Sequence, residues 1–319
     1  NDGCPLLSGL NLSYGCIPFD KMPFCTSLRN HNPRIYDLLD CLSEKDREHE
    51  LFARQIQNNT EIEGMLFTAK KDIVGFDNID IDEAERCGIW VTNTPQALSD
   101  SVAEYTLSVL LLAAKNIRDC SNAMYHGEYG YKNAHKGLDV GGKKLGVVGF
   151  GRIGRAVAKK AHLGLDMDIL AYDPFVKQEQ APEYVKMCTW DELFANADFI
   201  SLHLPGGEAN RNAVGAKEFE MMKKSAILLN VARGEVVDEL ALDAALKADQ
   251  FRYAVLDVQS QEPPKEDYPL YQNEKVILTP HMASNTEECM GRMALHAAMQ
   301  IHKVLSGENP DWPVNHPQL

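Results

Sequence analysis

Three side chains suited to handling a proton and an anion stand just past apolar runs in the second half of this chain. Arg233 follows Asn230-Val231-Ala232, Glu262 lies beyond the run that closes near Asp257, and His281 follows Leu278-Thr279-Pro280. In an open parallel sheet, ligands bind beyond the C-terminal ends of the strands, so residues from separate strand ends can meet in one pocket. Histidine, with an ordinary pKa of about 6.5, gives or takes a proton near neutral pH. A carboxylate beside it stabilises the imidazolium, raises its pKa and orients the ring. An arginine forks onto a carboxylate and polarises a neighbouring carbonyl. The set suits proton transfer at an oxygen next to a carboxylate. Each residue alone also admits a plainer reading: His281 as a surface histidine, Glu262 as a loop carboxylate, Arg233 as a cation at a helix start.

A second feature is the glycine turn Gly149-Phe150-Gly151-Arg152-Ile153-Gly154. Three glycines at this spacing are weak evidence alone, but here an apolar strand precedes them, a helical stretch follows, and Asp173 ends the next strand nineteen residues past Gly154. The first glycine permits the tight turn and the second lets backbone approach a pyrophosphate. The third lets helix and strand pack closely, which leaves the helix N-terminus facing the phosphates. Asp173 would accept hydrogen bonds from ribose hydroxyls and repel a 2′-phosphate, which favours NAD over NADP. The plainer alternative is a tight turn with an incidental aspartate. Combined with the strand-end residues, the turn points to hydride transfer between a nicotinamide and C2 of a hydroxy acid.

The elements that must position these residues are legible from residue 144 onward. Apolar, β-branched-rich runs predict strands over 145–149, 168–172, 199–203, 226–230, 253–258 and 276–279. Between them, helices are predicted after the glycine turn to about 162, and over 191–195, 217–222 and 238–248, with a long amphipathic helix over 286–305. This alternation means a parallel sheet with right-handed crossovers. Upstream, a buried helix is predicted over 99–116, capped by Ser99 or Asp100, and strands over 64–68 and 88–92. The first sixty residues offer a single helical stretch, about 44–57, among Pro- and Asn-rich loops.

Composition narrows the class. The 319 residues suffice for two domains, and 45% hydrophobic with 24% charged residues is ordinary for a globular protein. The longest apolar run, Val109 to Ala114, is bounded by Ser108 and Lys115, too short to span a membrane. A formal net charge of −14 argues against nucleic-acid and anionic-membrane partners, though not against a local positive pocket. No signal-peptide order opens the chain; its first residue is Asn1, so an upstream segment can precede it. The eight cysteines form no Cys-x-x-Cys pair and read as thiols in a reducing cytosol, with no metal site.

The chain closely resembles the D-isomer-specific 2-hydroxyacid dehydrogenases, a family that includes glycerate, phosphoglycerate, D-lactate and formate dehydrogenases. The resemblance rests on Gly75-Phe76-Asp77-Asn78-Ile79-Asp80, Asn93-Thr94-Pro95, Val102-Ala103-Glu104, the run from Leu145 to Gly154, Asn230-Val231-Ala232-Arg233-Gly234, Glu262-Pro263 and Thr279-Pro280-His281. It implies an α/β fold of two doubly wound parallel-sheet domains. A Rossmann-type NAD-binding domain (97–287) is inserted in a flavodoxin-like substrate domain (1–96 and 288–319). It implies that Arg233 binds and polarises the substrate, that His281 is the general acid/base with Glu262 as its partner, and that backbone N–H groups of Val74 and Gly75 hold the substrate carboxylate. Thr94, Gly149, Gly151, Arg152, Ile153, Gly154, Asp173, Leu204, Pro205, Val231, Asp257 and His281 would line the NAD site, with Asp257 meeting the nicotinamide amide. A cytoplasmic homodimer is implied, with the helix at 99–116 and the arm after it in the interface.

Some positions depart from the family. Residues 1–60 lack its opening βαβ pattern. Ile73 stands where members carry glycine or a small polar residue, and Lys71 where phosphoglycerate-type members carry arginine. Formate-type members carry glutamine in place of Glu262, which sets that activity aside. The other class to weigh is an NAD-sensing co-repressor-type binding module, which keeps the same site residues.

Overall fold

The computed structural model describes residues 51–53, 67–69 and 79–317. These fall into two compact units, one formed by the described residues up to Leu98 and from Ser284 onward, the other by Ser99–Ala283. In the first unit β1 (Leu51–Ala53) and β2 (Phe67–Ala69) pair antiparallel, with Leu51 opposite Ala69. The helix expected over 44–57 is therefore corrected at 51–53. A three-residue apolar step fits either period, and strand pairing decides it. Apart from the segment 88–92, the residues that would carry the rest of the expected flavodoxin-like sheet lie outside the described ones.

Helix α1 (Ile81–Arg86) is capped by Asp80, whose carboxylate accepts the Glu83 N–H at 2.9 Å. Of the segment 88–92, Gly88 still belongs to the turn after α1, with φ +71°, while Trp90 and Thr92 each form a β-bridge, that of Thr92 running antiparallel to Pro313. Around it the Asn315 amide stands in for a strand. Its Oδ1 accepts the Val91 N–H and its Nδ2 donates to the Ile89 carbonyl, both at 2.8 Å.

The second unit opens with α2 (Ser99–Ala114) and α3 (Ile117–Tyr125). Strands and helices then alternate: β3 (Lys144–Val148), α4 (Arg152–Leu165), β4 (Asp168–Tyr172), β5 (Val185–Met187), α5 (Trp190–Asn196), β6 (Phe199–Leu202), α6 (Ala216–Met221), β7 (Ile227–Asn230), α7 (Glu239–Lys247), β8 (Tyr253–Leu256) and β9 (Val276–Leu278). All seven strands are parallel, in the order β5-β4-β3-β6-β7-β8-β9. The order reverses beside β3, which pairs with β4 on one side and β6 on the other. That is the Rossmann arrangement, and its switch point is where a dinucleotide binds.

Burial explains why the strand sequences are apolar throughout. Leu145, Val147, Phe199, Ile227, Leu229 and Val255 enter a core shared with α2 and α4. Val148, Ile200, Leu202, Leu228, Ala254 and Leu256 enter a second core with α5, α6 and α7. Successive side chains thus serve opposite cores, as strand geometry requires. In the second unit two elements escape the sequence signals, as α1 does in the first. β5 is three residues with Lys186 at its centre, and α3 is largely polar from Arg118 to Asn122. The chain closes in the first unit with α8 (Glu287–Leu305), capped by Thr286, whose hydroxyl accepts the Cys289 N–H.

Candidate active site

The glycine turn follows β3 at the switch point. Gly149 has φ +91°, and a Cβ there would stand 2.6 Å from the His203 carbonyl oxygen. A Cβ on Gly154 would stand 2.2 Å from the Gly149 oxygen, so α4 can rest on the turn only without that side chain. Gly151 is exposed and borders open space, and it caps α4 with no side-chain hydrogen bond. The first turn of α4, with Arg152 and Ile153, holds no acidic residue, so the positive end of the helix dipole is not offset there. Asp173, half-buried at the end of β4, accepts the Phe150 N–H on Oδ2 and the Phe175 N–H on Oδ1, each at 2.9 Å. Its carboxylate is therefore tied to the glycine turn itself. An open backbone cradle, a helix N-terminus and a fixed carboxylate fit a dinucleotide.

The neighbouring strand ends contribute the other expected residues. Leu204 is half-buried and Pro205 exposed just past β6, while Val231 is buried just past β7. His203 shares the β6 end: its N–H donates to the Val148 carbonyl at 2.7 Å, and its Nε2 lies 2.9 Å from the Ser201 hydroxyl. Burial pushes its pKa down to about 3, so this ring stays neutral near pH 7. Thr94 lies in the first unit, buried, with its carbonyl accepting the Ala97 N–H. Val74, Gly75, Lys71 and Ile73 lie outside the described residues.

Arg233, Glu262 and His281 are brought together by three connections. Asn230, fully buried, shapes the turn to Arg233: its Oδ1 accepts the Ala232 N–H at 3.1 Å and its Nδ2 donates to the Arg233 carbonyl at 2.9 Å. Gly234 then lies flush on the loop after β8, where a Cβ would fall 1.9 Å from the Gln259 carbonyl carbon. Gln259 in turn donates its N–H to Glu262 Oε1 at 3.0 Å, and Glu262 Oε2 meets His281 Nδ1 at 2.7 Å. Burial alone would raise the Glu262 pKa. The His281 hydrogen bond, the Gln259 N–H and the charges of His281 and Arg233 outweigh it and hold the carboxyl below its ordinary range. A carboxylate on Nδ1 keeps the proton on that nitrogen and aims Nε2 as the reactive atom.

His281 itself has φ +49°, a left-handed backbone that costs a non-glycine residue on the order of 1–3 kcal/mol. Asp257, fully buried at the end of β8, braces it from both sides. Its backbone carbonyl accepts the His281 N–H at 2.7 Å. Its side chain accepts the Thr279 hydroxyl at 2.7 Å, the Met282 N–H at 2.9 Å and the Ala283 N–H at 2.8 Å. Thr279 receives the Tyr105 hydroxyl at 2.7 Å.

The strand-end argument finds Arg233, Glu262, Asp257 and His281, but not Asn230, Gly234, Thr279 or Tyr105 as parts of the site. Asn230 carries a sequence signal, since asparagine two residues before a turn commonly bonds its own backbone. Tyr105 carries none. A polar cavity of about 460 Å³ beside Asn116, His135, Lys136 and Arg252 opens near the first residue of β8, the end of the sheet opposite the site. Among the described residues, no cluster of His, Cys, Asp and Glu could hold a metal ion, and no helix is long and apolar enough to cross a membrane.

Fold and site define a Rossmann-type dinucleotide-binding domain with a histidine–carboxylate pair at its strand ends. Residues 107–283 match the family model described as D-isomer specific 2-hydroxyacid dehydrogenase, NAD binding domain. The chain is 44% identical over 248 residues to a D-3-phosphoglycerate dehydrogenase of Methanocaldococcus jannaschii, a match covering 77% of this chain and 47% of that one. It is 37% identical over 289 residues to a glyoxylate reductase of Thermococcus litoralis, covering 86% of each. Among solved structures, D-lactate dehydrogenase with NAD+ from Lactobacillus jensenii matches with a TM-score of 0.68 at 30% identity, covering 77% of both chains. This chain spans about half the length of the first curated relatives it matches. It belongs to the D-isomer specific 2-hydroxyacid dehydrogenase family, and its Ser99–Ala283 unit carries the family's NAD-binding domain.

Proposed function

We propose that this chain interconverts a small 2-oxo acid and its D-2-hydroxy acid with NAD(H). The observation that carries the reading is the His281–Glu262 contact of 2.7 Å, with Arg233 close enough for its charge to lower the Glu262 pKa. Bound nicotinamide supplies the hydride acceptor or donor. In reduction, His281 gives the proton on Nε2 to the C2 oxygen; in oxidation it takes it back. Glu262 stabilises the imidazolium in between. Arg233 grips the substrate carboxylate and polarises the C2 carbonyl. Asp173 and the open turn at Gly149, Gly151 and Gly154 support NAD, with Arg152, Ile153, Thr94, Leu204, Pro205, Val231 and Asp257 as further coenzyme contacts. In this reading 97–287 is the coenzyme domain, and 1–96 with 288–319 the substrate domain. Exposed apolar side chains along α3 support a homodimer, and the thiols of Cys87, Cys120, Cys188 and Cys289 suit a reducing cytosol.

The test is turnover of glyoxylate, hydroxypyruvate, pyruvate and a bulky 2-oxo acid with NADH, by wild type and His281→Asn. Turnover should fall roughly 10²–10⁴-fold in the variant while NADH affinity holds, the range general acid/base catalysis contributes. Equal losses in both would make His281 structural. Negligible wild-type turnover on every acid, with NADH still bound, would favour the binding-module reading.

A further inference from the structure

We propose that Tyr105 is a positioning residue for His281, acting through the hydroxyl of Thr279 and the carboxylate of Asp257; the inference rests on the reading of His281 as the general acid/base. Tyr105 projects from α2, whose neighbouring positions Ala103, Thr106 and Val109 are buried. Its hydroxyl donates to Thr279 Oγ1 at 2.7 Å, and Thr279 donates on to Asp257 Oδ1 at 2.7 Å. The order of donors is one-way, because an ionised carboxylate only accepts. Burial above all keeps the Tyr105 phenol protonated, so it remains a donor at working pH.

The chain of hydroxyls ends on the group that grips both flanks of His281. Asp257 takes Thr279 on one side and the Met282 and Ala283 N–H groups on the other, while its carbonyl takes the His281 N–H. His281 is thereby held at φ +49°, a conformation that L side chains rarely adopt, with Nδ1 on Glu262. Removing the Tyr105 hydroxyl leaves Thr279 without the donor that fixes its rotamer. The brace then loosens, and the His281–Glu262 contact lengthens with it. Among the described residues, the charge that acts on Glu262 beside that of His281 is Arg233.

The experiment compares Tyr105→Phe, Thr279→Ala, Thr279→Ser, the Tyr105→Phe/Thr279→Ala double variant and His281→Asn. In Tyr105→Phe, kcat should fall about 10-fold with NADH affinity kept, as expected when a reacting group is slightly misplaced. In the coenzyme-free protein, the NMR titration of the His281 ring should move down by roughly 0.5 pH unit or more, because the carboxylate holds the imidazolium less well. Thr279→Ala should behave alike, Thr279→Ser should restore wild-type values, and the double variant should be no worse than Thr279→Ala. Wild-type kcat and His281 titration in a folded Tyr105→Phe protein, or losses that add in the double variant, would overturn the inference. If His281→Asn turns over normally, the acid/base reading fails instead. If His281→Asn is inactive and Tyr105→Phe unaffected, only the role of Tyr105 fails.

Discussion

His281 shows how much of a site is set by one residue's surroundings. Its type is what proton transfer needs, and in the proposed reaction it relies on Glu262, whose carboxyl pKa is held below the ordinary range. The sign follows from that shift. The lowered pKa means the ion pair's contribution is complete above the ordinary glutamate value of about 4.3 and is lost as pH falls through the lower folded value. Glu262→Gln should leave the imidazolium without its partner, moving the histidine limb of the pH–rate profile down by about one unit or more. A full pH profile of kcat/KM for both proteins checks this; an unmoved limb would separate Glu262 from the proton chemistry. Arg233, Glu262 and His281 are legible in the sequence because each follows a recognisable apolar strand. The left-handed backbone of His281 is not, since histidine, though enriched there among non-glycine residues, adopts it in only a small minority of cases.

At the scale of elements, the site depends on strand ends brought to a common level by parallel pairing. Asn230 at the end of β7 lies opposite Leu256 at the end of β8, which puts the Arg233 turn beside the loop that leads to Glu262. Gly234 lets the two segments touch. Gly234→Ala would place a methyl carbon inside the Gln259 peptide and should cost about 1–3 kcal/mol by overpacking, with turnover lost alongside. Urea denaturation measures the first and steady-state kinetics the second; an unchanged midpoint would mean that the loop yields freely. The strands here were legible because both faces are buried, which makes them continuously apolar. β5 was not, because Lys186 interrupts a three-residue edge strand, and the 51–53 step was misread because a run so short has no period.

For the whole molecule, the acidic balance and the distribution of apolar surface pull in different directions. A net charge of −14 keeps chains apart in general, yet Ile117, Met124 and Tyr129 are each more than half exposed and Tyr125 is 87% exposed, all within one short arm. Solvated apolar side chains grouped this way mark an interaction surface. The proposed homodimer should appear in light scattering at twice the 35.6 kDa chain mass. Tyr125→Glu should weaken it about 10-fold or more, the scale at which an interface aromatic counts. A monomer at micromolar concentration would set the dimer aside.

The sequence by itself determined the alternation of strands and helices, the glycine turn, the preference for NAD and the residue types at the strand ends. These follow from local period, from backbone freedom at glycine and from charge. Only the tertiary structure decided how His281 is held. Tyr105 and Thr279 stand 174 residues apart in the chain, and Gly234 meets Gln259 across two strands. No local pattern encodes such contacts, because they depend on which strand lies beside which and at what register. The Arg233–Glu262–His281 set was thus readable as a list of residues, but its geometry belongs to the sheet.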